Sequence, residues 1–245
     1  MNPSEKLSFI QNIQFDGDAY ERFIWHLQIM AVDEGIKPSF FYAEGKTTER
    51  TLNVMRSLGE IGFGTTYGYG RKFNNISPVE INRQVSGEGH GIWAFKESNR
   101  EYFMSSFSKY SSGLISQGEI LGYPSCCVTW FANDHEKPIG NVILDELKMA
   151  GIHSPSSRTL QEFVLRESTF ELVKRALLSD LGKKLKKAMR ISNTTFPFIP
   201  HLACPDCISD KTDSPSAKMN SDYSNLALSL NPAFHKDIIR ESRLS

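Results

Sequence analysis

The sequence predicts an α+β fold, predominantly helical with a few short strands, built as a single compact domain. Three observations predict it. Apolar residues recur mostly at helical spacing, strand-like stretches are short and few, and no βαβ alternation supports a doubly wound sheet. Hydrophobic residues make up 40% of the 245, enough for a core without disulfide staples. Residues 1–110 read as a helical and short-strand part, and residues 111–245 as a helical part that carries the cysteine motifs.

The first strong helix runs from Ala19 to Glu34, with Phe23, Ile24, Leu27, Met30 and Ala31 on one face, Asp18 as cap and Gly35 as stop. Lys37-Pro38 breaks the chain, and Phe40-Phe41-Tyr42 reads as a short strand. A second helix is expected over Thr48 to Ile61. Gly62 to Gly70 reads as a flexible glycine-rich loop, residues 71 to 89 as irregular, and His90 to Phe95 as a strand. Ser98 and Glu101 have capping-box spacing and should open a helix through about Tyr110.

Gly113, Gly118 and Gly122 make 111 to 123 a loop or a broken helix. Pro124 suits the first turn of a helix from Ser125 to about Asn133. Another helix spans Lys137 to Ala150. The longest, from Thr159 to Met189, opens on a Thr159/Glu162 capping box and carries Gly182 as a possible interruption. Phe196-Pro-Phe-Ile-Pro200 reads as extended. Ser214-Pro215 should cap and start a helix to about Leu230, which Asn231-Pro232 breaks before a short closing helix.

Charge excludes some functions. Lys+Arg and Asp+Glu are both 28, so no charged surface speaks for a nucleic-acid partner. The Lys183-Lys184-Leu185-Lys186-Lys187 run with Arg190 reads as a solvated helix end whose cations suit the dipole. No targeting segment or membrane span is read, which makes the expected setting a soluble, cytoplasmic bacterial protein with reduced thiols.

The four cysteines fall in two pairs, Cys126-Cys127 and Cys204-Pro205-Asp206-Cys207. In a reducing compartment, paired cysteines point to metal or redox chemistry. Both pairs fall at expected helix starts, where free N–H groups and the dipole favour thiolate. A C-x-x-C turn brings two sulfurs to one ion, whereas adjacent side chains on a helix diverge. One of Cys126 and Cys127 is therefore expected to be the principal ligand. His201 precedes Cys204 by three residues, so Cys126, Cys127, His201, Cys204 and Cys207 are the candidate metal ligands. The 76 residues between Cys127 and Cys204 exceed a zinc-ribbon spacing, so the site should join distant parts of the fold.

Gly122-Tyr123-Pro124-Ser125-Cys126-Cys127, with Phe131 and the later Pro200-His201-x-x-Cys204-x-x-Cys207, resembles an uncharacterised prokaryotic domain family with a G-Y-P-x-C-C motif. The resemblance spans about residues 115 to 225. It implies that the cysteines act together and implies no activity.

The leading expectation is an enzyme acting on a small molecule at a Cys/His-ligated centre, an iron–sulfur cluster ahead of zinc. Cys126, Cys127 and His90 are its candidate catalytic residues. Tyr67 and Arg71, from the glycine-rich stretch, are candidate cofactor contacts. The alternatives are a metal-free cysteine hydrolase or transferase, with His90, His153 or His201 as base, and a structural zinc module that presents a surface to a partner. A thioredoxin-like reading of C-P-D-C lacks a convincing preceding strand. His135 and His153 read as surface loop histidines.

Overall fold

The computed structural model describes residues 1–15, 17–43, 49–68, 78, 91–149, 151–153 and 180–244. The fold is predominantly helical, with one small three-stranded sheet. Among the described residues, no helix is long and apolar enough to cross a membrane.

Helix α1 (Pro3–Gln11) was not expected from the sequence. Asn2 accepts from the Glu5 N–H and Glu5 accepts from the Asn2 N–H, a capping box hidden in an otherwise polar start. Helix α2 (Ala19–Asp33) follows the expected range and is capped the same way by Asp18 and Glu21. Then come β1 (Ser39–Ala43), α3 (Glu49–Glu60), β2 (Phe63–Gly68) and β3 (Gly91–Lys96).

Strand β2 corrects the reading of 62–70 as a loop over Phe63–Gly68, residues 69 and 70 lying outside the described residues. Gly62 turns at φ +90°, and Phe63 to Gly68 then pair antiparallel with Lys96 to Gly91. Only the long-range partner makes this glycine-rich segment a strand. The order is β1-β3-β2. Central β3 is covered on both faces: Ile92, Trp93, Ala94 and Phe95 are all 0% exposed. Ile92 and Ala94 join the core with α2, while Trp93 and Phe95 meet Phe103, Tyr110 and Ile120 on the other side.

Helix α4 (Arg100–Ser111) starts after a 3₁₀ turn at Glu97–Asn99. The Ser98/Glu101 box does not form; Asn99 is the cap, and its side chain makes no capping hydrogen bond. Glu97 instead pairs with Arg100 at 2.6 Å. Within the stretch expected as a loop or broken helix, α5 (Gln117–Ile120) is capped by a Ser116/Glu119 box. Helix α6 (Ser125–Phe131) runs through a π segment, Ala132–Glu136, into α7 (Lys137–Met149), so the two expected helices are one rod. His135 and Glu136 are buried in that segment, and His135 packs edge-on to Trp130 at 4.8 Å, which corrects the surface-loop reading.

The expected Thr159 helix start lies outside the described residues. The described part, α8 (Asp180–Thr195), passes through Gly182 without a break and ends beyond Met189. Helix α9 (Pro205–Ser209) starts on the second cysteine pair. Helices α10 (Pro215–Leu230) and α11 (Pro232–Ser242) match expectation, with Ser214 and Asn231 as caps. Tyr20 of α2 donates to the Pro197 carbonyl at 3.1 Å, which ties the N-terminal core to the segment before Cys204.

Candidate metal centre

Local chain geometry delivers each cysteine. Gly122 closes α5 at φ +75°, and a Cβ there would lie 2.7 Å from Pro38 Cδ, so only glycine fits the turn. Gly118 leaves room for Val128, whose Cγ2 would lie 2.6 Å from an added Cβ. This close packing sets the start of α6. Pro124 is its cap, and its carbonyl accepts the N–H groups of Cys127 and Val128 at 3.0 Å each. Cys126 and Cys127 thus occupy the first turn. On the other side, Cys204 caps α9 in an extended conformation, Pro205 fills the first helical position, and Cys207 ends the first turn.

A third helix start completes the convergence. Ser214 caps Ala217 at 3.2 Å and also donates its hydroxyl to the Cys207 carbonyl at 3.1 Å, which locks α10 against α9. Ser216, fully buried in the first turn of α10, lies 3.3 Å from Cys127 Sγ through its Oγ. The Cys204 N–H donates to Cys127 Sγ at 3.3 Å. Around them a small apolar shell is formed by Phe196, Ile199, Ala203 and Ala217.

The four sulfurs meet. Cys126 Sγ is 3.9 Å from Cys127 Sγ and 3.6 Å from Cys207 Sγ, and Cys127 Sγ is 3.7 Å from Cys207 Sγ. All four ligand atoms lie within 4.8 Å of one another, so the cluster can hold a metal ion. Cys126 sits at the solvent edge and the other three are buried. Both adjacent cysteines reach the cluster, which departs from the expectation of one principal ligand. Side chains in a helix lean toward its N-terminus. A centre lying ahead of the first turn is therefore within reach of neighbours that would diverge at mid-helix.

Cys126 and Cys127 are poorly tolerated as thiolates here. Burial, a hydrogen bond with Cys207 and the nearby Cys207 and Cys204 sulfurs push the Cys126 thiol up to about 11. Burial pushes Cys127 higher still. Burial also acts upward on Cys207, but hydrogen bonds from the Ser216 hydroxyl and N–H, then from Cys126 and Cys204, bring it down to about 7. One negative charge is held well and further ones repel, a pattern that a cation reverses.

His201 is not among the four clustered groups. Its Nε2 lies 3.1 Å from Ser216 Oγ, which places it one hydrogen bond behind the sulfurs. Its ring stacks on Tyr123 at 5.0 Å, and Lys37 Nζ stands 5.2 Å from the Tyr123 ring centroid. Lys37 is buried, donates to Gln28 Oε1 at 2.7 Å, and is lowered by burial to about 7. Burial, then the charge of Lys37, lowers His201 to about 3, so its ring is neutral.

The other candidates are placed elsewhere. Tyr67 lies on β2, half-buried against the sheet core. Arg71 and His90 lie outside the described residues. His153 is exposed. Sequence reasoning missed Ser216, Lys37 and Gln28. Ser214-Pro215 signalled the helix start, but nothing in the chain said that the next residue faces a sulfur 89 positions away.

Comparison with family models, curated proteins and solved structures gives no match for this chain.

Proposed function

We propose that the chain is a metalloprotein in which Cys126, Cys127, Cys204 and Cys207 together hold one tetrahedral ion, zinc in the first place. The sulfur spacing carries this reading. An ion with metal–sulfur bonds of about 2.3 Å sets tetrahedral sulfur–sulfur edges of about 3.8 Å. The separations among Cys126, Cys127 and Cys207, 3.6, 3.7 and 3.9 Å, fit that edge. An iron–sulfur cluster, ranked first from the sequence, shares its thiolates among several irons and spreads them further apart. A single iron would fit the same donors as zinc.

Four thiolates fill a tetrahedron and leave no open position, which supports a structural rather than a Lewis-acid role. The ion would fasten the starts of α6, α9 and α10, which join residues from 126 to 216. His201 and Ser216 would act as outer partners that orient the sulfurs and donate to them.

A second reading, thiol catalysis without metal, has the exposure of Cys126 in its favour. Against it stands the upward push on that thiol, since only the thiolate attacks.

The test is metal content of anaerobically purified protein, followed by cobalt replacement. The expected result is one ion per chain and the intense visible and near-ultraviolet absorption of tetrahedral cobalt thiolate. Each single Cys→Ser variant should lower metal content. Protein that is folded and metal-free as purified, and that takes up no cobalt, would sink the proposal. Sulfide and two or more irons per chain would return the choice to a cluster.

A further inference from the structure

Behind His201 lies a cavity of about 710 Å³ that no cysteine lines. Small-molecule sites commonly run from about 300 to 1,000 Å³. Its walls come from the N-terminal half of α2, from Tyr123 and the Ile199 to His201 segment, and from α8.

The face of α8 turned to it consists of Lys186, Met189, Arg190 and Asn193, spaced as one helical stripe. An ordinary packing face would put apolar residues at those positions. Two of these four are cations, and neither Lys186 nor Arg190 has an ion-pair partner among the described residues. The neighbouring Lys183, off this stripe, pairs with Asp180 at 3.0 Å. The basic run that reads as a solvated helix end in sequence thus sends part of its charge to a cavity wall.

Two carboxylates, Asp18 and Glu21, also line the cavity. Both are engaged at the start of α2: Asp18 Oδ1 accepts the Glu21 N–H at 2.8 Å, and Glu21 Oε2 accepts the Asp18 N–H at 3.1 Å. They satisfy the helix end, and among the described residues no ion pair joins them to Lys186 or Arg190. Trp25, Phe41 and Tyr123 supply aromatic wall, with Ile24 and Leu121 beside them. His201 Nδ1 is buried without a partner among the described residues.

We infer that this cavity binds an aromatic anion: a ring system held among Trp25, Phe41 and Tyr123, with its carboxylate, sulfonate or phosphate at Lys186 and Arg190. Aromatic walls favour stacking over any one ring identity. The guanidinium of Arg190 offers a fork of donors that matches an oxyanion. The inference goes beyond the metal reading and does not rest on it, because no sulfur contributes to the walls.

The experiment uses two fluorescent probes with one aromatic skeleton, 8-anilino-1-naphthalenesulfonate and the uncharged N-phenyl-1-naphthylamine. The full-length, metal-loaded protein should bind the sulfonate at one site per chain, about tenfold tighter than the neutral probe. A Lys186→Ala/Arg190→Ala variant should bring the two affinities together and leave the neutral probe unchanged. Both cations are solvent-exposed, so metal content and near-ultraviolet circular dichroism should match the parent. A Trp25→Leu variant should weaken both probes, which places them in this cavity. Equal affinity for the two probes, no binding of either, or a sulfonate preference that survives the double substitution would each overturn the inference.

Discussion

The sheet core and the cysteine core are built on different physics. Around β3 and α2, twenty-six buried apolar residues form one cluster among the described residues. It includes Phe40, whose ring meets Phe15 and Trp25 edge-on at 6.0 and 5.8 Å. Such burial stabilises by area and needs no partner beyond water exclusion. Among the described residues, the cysteine core holds seven buried residues, three of them cysteines. Its remaining order comes from three helix starts that present N–H groups and thiols to one point. The first core is held by bulk apolar contact. The second is a convergence of helix starts on four thiols that can hold a metal ion.

The widest separation between the two should follow metal removal. A structural zinc site supplies on the order of 10 kcal/mol of apparent binding free energy at neutral pH. Chelation should therefore loosen α6, α9 and the start of α10, while β1 to β3 keep their protection in hydrogen exchange. Uniform loss of protection across both regions, or none in either, would break the contrast.

The reverse experiment is Phe40→Ala. Truncating a large buried aromatic typically costs about 3–5 kcal/mol. Urea unfolding should show that loss, with metal content unchanged at full occupancy. A fall in metal content in the folded variant would mean that the cores are not separable.

Acidification should act on both cores, by a smaller amount. His26, buried beside Phe15, is lowered to about 4, mainly by burial, and His201 to about 3. The unfolded chain takes up these protons near 6.5, before the fold does. The contribution of these two histidines is therefore flat above about 6.5 and falls as pH drops toward the folded values, by about 1.4 kcal/mol per unit and group. Protons also compete for the thiolates, so the cysteine core carries an added loss. His26→Leu should flatten the fall in urea unfolding between pH 6.5 and 5. An identical fall in the parent and the variant would remove His26 from this account.

Much of this was legible residue by residue. Asp18 and Ser214 announced their helices because a cap acts over three or four residues, and the structure keeps both, while Asn231, read from the sequence only as a break, also caps α11. The pairing of cysteines at helix starts was legible for the same reason. Strand β2 was not, because its glycines carry no periodicity and its identity lies in β3. Ser98 and Glu101 misled for the converse reason: the spacing of a box was there, but Glu97 and Arg100 turned the chain into a 3₁₀ start first.

The sequence by itself determined which residues are chemically able to hold a metal and that they sit at helix starts, since both are local properties of the chain. The tertiary structure decided that Cys126 and Cys127 both reach the cluster while His201 stands behind Ser216. It also decided that Lys186 and Arg190 face a cavity, because distances between segments remote in sequence are set by packing and leave no trace in spacing.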